Sequence, residues 1–332
     1  MEKVDILLTT YNSKIEYLKM QIDSILNQTY KNFKLIISDD CSTKEEVKEA
    51  LKEYEQKDNR IQIYFQPQNL GYTKNFEFVL TKSTADYIAF SDHDDIWYPN
   101  KIEESLKILK EKNVDLVYCD AKQIDENGKT LHESYLRYKN MPILNENYQK
   151  EILPFSRHIA IGCSQLFTKR VKDLMIPFTE NTIAHDWHSL YIASKLKGIY
   201  CIDKPLFEYR LHGNNAFGGR SFKQNVKIWK EKNGNSYKSY LKYRHRAITE
   251  TYLAGVLMCK DYNSKLPKNE KQEKTEQKII KYFENSQKSK ILYLPIHKYF
   301  RYLYFKGMRK RKYKEIMILH FPLLSYIFFS II

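Results

Sequence analysis

The residues of this chain best suited to chemistry are acidic and come in clusters. Asp92-His93-Asp94-Asp95 follows the apolar run Tyr87–Ser91 and precedes Ile96-Trp97. Carboxylates two positions apart at a strand end can both reach one hard cation, and Mg2+ and Mn2+ bridge such carboxylates to phosphate oxygens. A departing diphosphate needs that neutralising charge. An isolated Asp-x-Asp is ordinarily a solvated turn; four polar residues in a row behind a strand favour the site. Asp39-Asp40-Cys41-Ser42 ends a second apolar run. An acid there can hydrogen-bond a nucleobase or a ribose hydroxyl, or it can cap a helix starting near Ser42 or Thr43. Ala184-His185-Asp186-Trp187 sets a carboxylate at a helix start, where it can act as a general base toward a hydroxyl or simply cap the helix.

Positioning these clusters calls for alternating strands and helices. Val4–Thr10, Phe33–Ser38, Ile61–Phe65, Tyr87–Ser91 and Asp115–Cys119 read as buried strands. Tyr17–Leu26, Glu45–Tyr54, Thr73–Leu80 (with Thr73 as cap) and Lys101–Lys110 have helical spacing. The pattern predicts an α/β fold with a mostly parallel sheet flanked by helices. Ligands bind beyond the carboxyl ends of such strands, so Thr9-Thr10-Tyr11-Asn12, Asp39-Asp40 and Asp92-His93-Asp94 should face one crevice. Residues 121–220 are more mixed, with strands at Ile159–Thr168, Ile199–Ile202 and Leu206–Arg210 and a helix near Asp186–Lys197. From Ser221 the chain reads as long helices rich in Lys and Tyr, interrupted by a polar linker over Asn263–Gln277. The expected division is a domain over 1–220 and a helical, basic region over 221–332.

Charge separates these regions. Residues 1–218 hold 29 Lys+Arg and 32 Asp+Glu, a net −3, whereas residues 219–332 hold 26 and 8, a net +18. The C-terminal third thus seeks an anionic partner. It carries a cluster at Lys306, Arg309, Lys310, Arg311, Lys312 and Lys314, followed by the apolar stretch Ile316–Ile332. At 17 residues that stretch is short for a span. Docking on an anionic cytoplasmic leaflet is the favoured reading, ahead of a span or a buried helix. The five cysteines are scattered and without metal-ligand spacing, and Met1 runs directly into a strand pattern. Free thiols in a reducing compartment and no leader are the expectations.

Taken in order, Thr9-Thr10-Tyr11-Asn12, Ser24–Tyr30, Asp39-Asp40-Cys41-Ser42, Asn69-x-Gly71 and Ser91–Trp97 resemble glycosyltransferase family 2 in wording and spacing. The resemblance covers about residues 1–220. It implies a glycosyltransferase-A fold, a nucleotide diphosphate sugar donor and Mn2+ or Mg2+. Carried over by position, Thr9 and Tyr11 line the nucleotide pocket, Asp40 contacts the base, Asp92 holds the ribose or cation region and Asp94 binds the metal. Asn69, Lys74 and Asn75 help enclose the nucleotide. Asp186 becomes the base of an inverting transfer, although His185 stands where the family commonly has Glu. Gly162 is the glycine whose backbone approaches the sugar, or else an ordinary small residue in a tight strand pair. His212 adds a metal or diphosphate contact, and Arg210 pairs with phosphate. The later motifs, His185-Asp186-Trp187 and Tyr209-Arg210-x-His212-Gly213-Asn214-Asn215, resemble bacterial surface-polysaccharide rhamnosyltransferases. That implies a deoxythymidine diphosphate rhamnose donor and a polyprenyl-linked glycan acceptor at the cytoplasmic face of the membrane, with a UDP-hexose donor as the alternative.

Three other readings compete. A sugar-nucleotide nucleotidyltransferase should carry a Gly-rich loop after the first strand, where this chain has Thr9-Thr10-Tyr11-Asn12. A nucleic-acid-binding protein should join its basic charge to a recognition module, whereas here the charge lies on the tail. A noncatalytic scaffold should lack the base or the metal aspartate, and both are present.

Overall fold

The structure is a computed structural model that describes residues 2–139, 141, 143–144, 159–182 and 184–213, with a few isolated residues between 229 and 277. Asn214, Asn215, the basic cluster, the apolar end and nearly all of the expected tail helices lie outside the described residues. The chain divides into two compact units: residues 1–211 with 258–267, and residues 212–257 with 268–332. No helix among the described residues is long and apolar enough to cross a membrane.

The first unit is built on a nine-stranded mixed sheet: β1 Val4–Thr10, β2 Phe33–Asp39, β3 Ile61–Phe65, β4 Tyr87–Ser91, β5 Ile96–Trp97, β6 Leu116–Ile124, β7 Thr130–His132, β8 Gln165–Thr168 and β9 Ile199–Arg210. The spatial order is β3-β2-β1-β4-β8-β6-β9-β5, with β7 on β6. Strands β1 to β4 pair in parallel, and every residue of β1 is buried. Burial on both faces is why β1, β2 and β4 carry long apolar runs, whereas the edge strand β3 is only partly buried. The helices α1 Ile15–Leu26, α2 Glu45–Lys57, α3 Tyr72–Lys82, α4 Lys101–Glu111, α5 Tyr135–Tyr138, α6 Lys169–Met175 and α7 His185–Lys195 connect or cover the strands. On α1, Leu18, Ile22 and Ile25 face the core at helical spacing.

Three elements differ from the sequence-based expectation. The segment Ile159–Thr168 is not one strand: Ser164 donates from both its N–H and its hydroxyl to the Ile161 carbonyl, closing a 3-10 turn at Gly162–Ser164 before β8. Strand β8 then runs antiparallel to both β4 and β6, which makes the sheet mixed. The two expected strands after residue 198 are one, because a register shift against β6 accommodates Pro205 opposite Asp120. Helix α3 starts at Tyr72 with Gly71, at φ +78°, in the cap position, so Thr73 lies inside the first turn and does not cap it.

Candidate active site

All six strands that share β1's direction end at one rim, and β8 begins there because it runs the other way. The polar clusters therefore meet at that rim. At its first half Thr10 pairs with Asp39 across β1 and β2. Asn12 and Cys41, at φ +47° and +63°, turn the chain away from the strands. Asn12 donates its N–H to the Ser42 hydroxyl at 2.8 Å, and its side-chain oxygen accepts the Thr43 N–H at 2.8 Å. Asp39 accepts the Ser42 N–H at 2.9 Å and the Ser42 hydroxyl, so it closes a local turn; burial pushes its carboxyl above the usual carboxylate range. Asp40 accepts the N–H groups of Leu70 at 2.7 Å and Gly71 at 3.0 Å. Asn69 donates to the Asp40 carbonyl at 3.1 Å. Asp40 and Asn69 thus tie the end of β2 to the entry of α3. Thr9, which pairs with Ser38 across β1 and β2, is buried, and Tyr11 is exposed.

Two residues expected near the nucleotide hold other partners. Asn75 is buried, donating to the Ser38 carbonyl at 3.2 Å and accepting the Ser38 hydroxyl. Lys74 is exposed and pairs with Glu77 at 2.7 Å.

At the second half, oxygens of Asp92 and Asp95 and the sulfur of Cys163 lie within 4.8 Å of one another. Cys163 reaches the acids because the turn before β8 packs against the end of β4. Asp95 is fully buried; it accepts the Arg210 N–H at 3.2 Å, and its Oδ2 has no partner. Burial, then Asp94, then Asp92 hold the Asp95 carboxyl well above the ordinary range. Asp92 is raised by burial and by Asp94. Asp94 is itself buried. Behind them Lys101 is buried with its Nζ 3.8 Å from the centre of the Trp97 ring, and burial lowers its pKa.

Arg210 differs from the phosphate contact expected of it. It is 2% exposed, its Nε donates to the Asp94 carbonyl at 2.9 Å, and its guanidinium lies 4.4 Å from the Tyr17 ring centre. It clamps the acidic turn from inside the protein. His212, expected as a metal ligand, begins the second unit.

Asp186 sits in the first turn of α7. Gln165, the first residue of β8, donates to its carbonyl at 3.3 Å, as does the Ser189 hydroxyl at 2.9 Å. Its side-chain Oδ1 is buried without a partner. Burial first, and the charge of Asp92 second, push the carboxyl up to about 7. A carboxylate of that basicity suits proton abstraction near neutral pH. His185 is 2% exposed, stacked on Phe76 at 3.7 Å and edge-on to Phe90 at 4.4 Å, and burial keeps its ring neutral.

Sequence reasoning missed Tyr72, Asp95 and Cys163. Burial raises the Tyr72 hydroxyl, with the charges of Asp186 and Asp92 adding to the effect, and its ring meets His185 edge-on at 5.2 Å. Its place directly after Asn69-x-Gly71 was the available signal.

The donor set fits a divalent cation, because two carboxylates and a thiol converge and Asp95 Oδ2 is buried with none but the Cys163 sulfur beside it to answer it. Asp92 and Asp95 would hold it with Cys163 adjacent. Among the described residues this group does not include the expected pair Asp94 and His212, although Asp94 lies close enough to raise both acids.

Residues 5–174 match the signature of Glycosyl transferase family 2. An uncharacterized glycosyltransferase of Methanocaldococcus jannaschii is 30% identical over 230 residues, 67% of this chain and 76% of that protein. One of Rickettsia bellii is 33% identical over 221 residues, 64% of this chain, which spans only 29% of that relative's length. The O-antigen biosynthesis glycosyltransferase WbnJ of Escherichia coli is 34% identical over 146 residues, 44% of this chain and 54% of its own. Among solved structures, Staphylococcus aureus TarS in complex with UDP-GlcNAc superposes with a TM-score of 0.54 at 15% identity, covering 94% of this chain and 75% of that one. The sheet, its polar rim and these matches together place the chain in glycosyltransferase family 2, with a glycosyltransferase-A fold.

Proposed function

We propose that this glycosyltransferase is metal-dependent and inverting, and that it builds a bacterial surface polysaccharide. The observation that carries the reading is that consecutive residues of one turn reach both groups: Gly162 lies against His185 and Asp186, and the Cys163 sulfur lies with the oxygens of Asp92 and Asp95. A donor diphosphate and an acceptor hydroxyl can thereby be held at one rim. A cation held by Asp92 and Asp95 would neutralise charge on the diphosphate. Asp186 takes the acceptor's proton as the acceptor oxygen bonds to the anomeric carbon. The bond from that carbon to the diphosphate oxygen breaks from the opposite face, and the nucleoside diphosphate leaves.

Thr9, Tyr11, Asp40 and Asn69 frame the nucleotide end. The relation to an O-antigen enzyme supports a glycan product. The wording of the late motifs supports a deoxythymidine diphosphate rhamnose donor; the likeness to TarS, which holds UDP-GlcNAc, favours a UDP-hexose as the second reading. The acceptor is a polyprenyl-linked glycan, reached from the cytoplasmic face of the membrane. The basic residues 306–314 and the apolar end beyond them support that location.

Thermal melting of the full chain against a panel of nucleotide sugars, with and without Mn2+ or Mg2+, tests the donor. One donor should raise the melting temperature, and only with the cation present. A panel without any cation-dependent stabilisation would defeat the reading. Deleting residues 306–332 should abolish sedimentation with anionic vesicles; continued sedimentation would remove the tail from the membrane role.

A further inference from the structure

Gly162 and His185 meet with no room between them. A Cβ on residue 162 would lie 2.5 Å from His185 Nε2, 3.3 Å from its Cε1 and 3.6 Å from Asp186 Cβ. Carbon and nitrogen atoms of packed groups sit about 3.5–4.0 Å apart, so the imidazole would have to move. Three aromatic rings crowd it. Phe76 stacks on it at 3.7 Å, and Phe90 and Tyr72 meet it edge-on at 4.4 and 5.2 Å. Neither ring nitrogen has a hydrogen-bond partner. Shape alone therefore holds the ring, at the expense of two buried polar atoms left unpaired.

Both residues have a neighbour in the site. Cys163, next to Gly162, carries the sulfur grouped with Asp92 and Asp95. Asp186 follows His185. The turn is stiffened by Ser164 bonding to the Ile161 carbonyl, and it is fastened to α7 by Gln165 bonding to the Asp186 carbonyl. One turn of backbone thus touches the acids on one side and the base on the other.

We infer that Gly162 and His185 are positioning residues: the imidazole seated on the bare glycine sets the separation between Asp186 and the acids Asp92 and Asp95. Glycine is required at 162 by the histidine, not by an approaching sugar. The inference rests on Asp186 being the base.

The test compares the full-length chain with Gly162→Ala, His185→Ala and the double variant, in turnover and in thermal melting. Gly162→Ala should lower kcat by about 10- to 100-fold, as a base displaced by an ångström does, with the donor KM nearly unchanged. His185→Ala should itself lower kcat with the donor KM nearly unchanged, and the double variant should match His185→Ala in both kcat and melting temperature, because the added methyl then meets no ring. A double variant slower and less stable than His185→Ala by the loss that Gly162→Ala shows alone would overturn the inference, as would either single variant with wild-type kcat. If Gly162→Ala does not accumulate folded, recovery of folded protein in the double variant supports the steric pairing, and persistent insolubility refutes it. The melting comparison needs no substrate. A base assignment lost through undiminished turnover in Asp186→Asn is therefore distinguishable from a failed pairing of 162 with 185.

Discussion

The two halves of the rim treat their buried polar atoms in opposite ways. At the ends of β1 and β2 the acids are answered from within the protein: Asp39 by Ser42, Asp40 by the N–H groups of Leu70 and Gly71. At the end of β4 and the start of α7 single acid oxygens are not. Asp95 Oδ2, Asp186 Oδ1 and both nitrogens of His185 are buried without partners. Folded proteins pair nearly all such atoms, so an unpaired cluster marks a place where something else completes the structure. The first half is a preformed frame. In the proposed function the second is finished by what it binds, with the exception of His185, which is held by ring packing.

The sharpest way to break this contrast is at Asp186. Asp186→Asn should lower turnover by about 10²–10⁴-fold while leaving donor affinity intact, measured by initial rates and calorimetry. Asp95→Asn comes next. Because burial disfavours the charged carboxyl, the amide should keep or raise the melting temperature, while cation-dependent nucleotide binding falls by about tenfold or more. A variant that melts lower and binds normally would return Asp95 to the frame.

A pH profile sharpens the same point. The base must be unprotonated, and its carboxyl is raised to about 7, so kcat/KM should climb with pH through that value and flatten above it. Asp92→Asn should move the midpoint down by removing the charge that helps raise it. A rate already flat from pH 5 would contradict the assignment.

Smaller effects belong to the frame. Asp40→Ala leaves the Leu70 and Gly71 N–H groups unanswered and should reduce stability by about 1–3 kcal/mol in a denaturant titration, with a higher donor KM. Lys74→Ala removes an exposed pair and should change stability by less than about 0.5 kcal/mol. A large rise in donor KM in that variant would extend the nucleotide contacts onto α3.

Much of the frame was legible because its determinants are local. An apolar run with a polar cluster at its end announces a buried strand and its exit, and β1 spans Val4–Thr10 as read. The paired acids at 39–40 and 92–95 are visible as strings. What stayed hidden depends on partners far apart in the chain. Arg210 looked like a phosphate ligand because an arginine at a strand end is free to reach outward until its surroundings are known. Tyr17 beneath it and the Asp94 carbonyl beside it turn it inward. Asn75 was likewise claimed by Ser38, 37 residues away.

Sequence alone determined the order of the elements, the acids at their ends and the family these imply, since periodicity and turn chemistry are properties of neighbouring residues. Tertiary structure decided which acids share a space. The reversal of β8 carries Cys163 to Asp92 and Asp95, and Gly162 to His185, contacts that no local pattern encodes. The physical reason is that a strand's direction within a sheet follows from which neighbours bury it, and that is settled only when the whole sheet assembles.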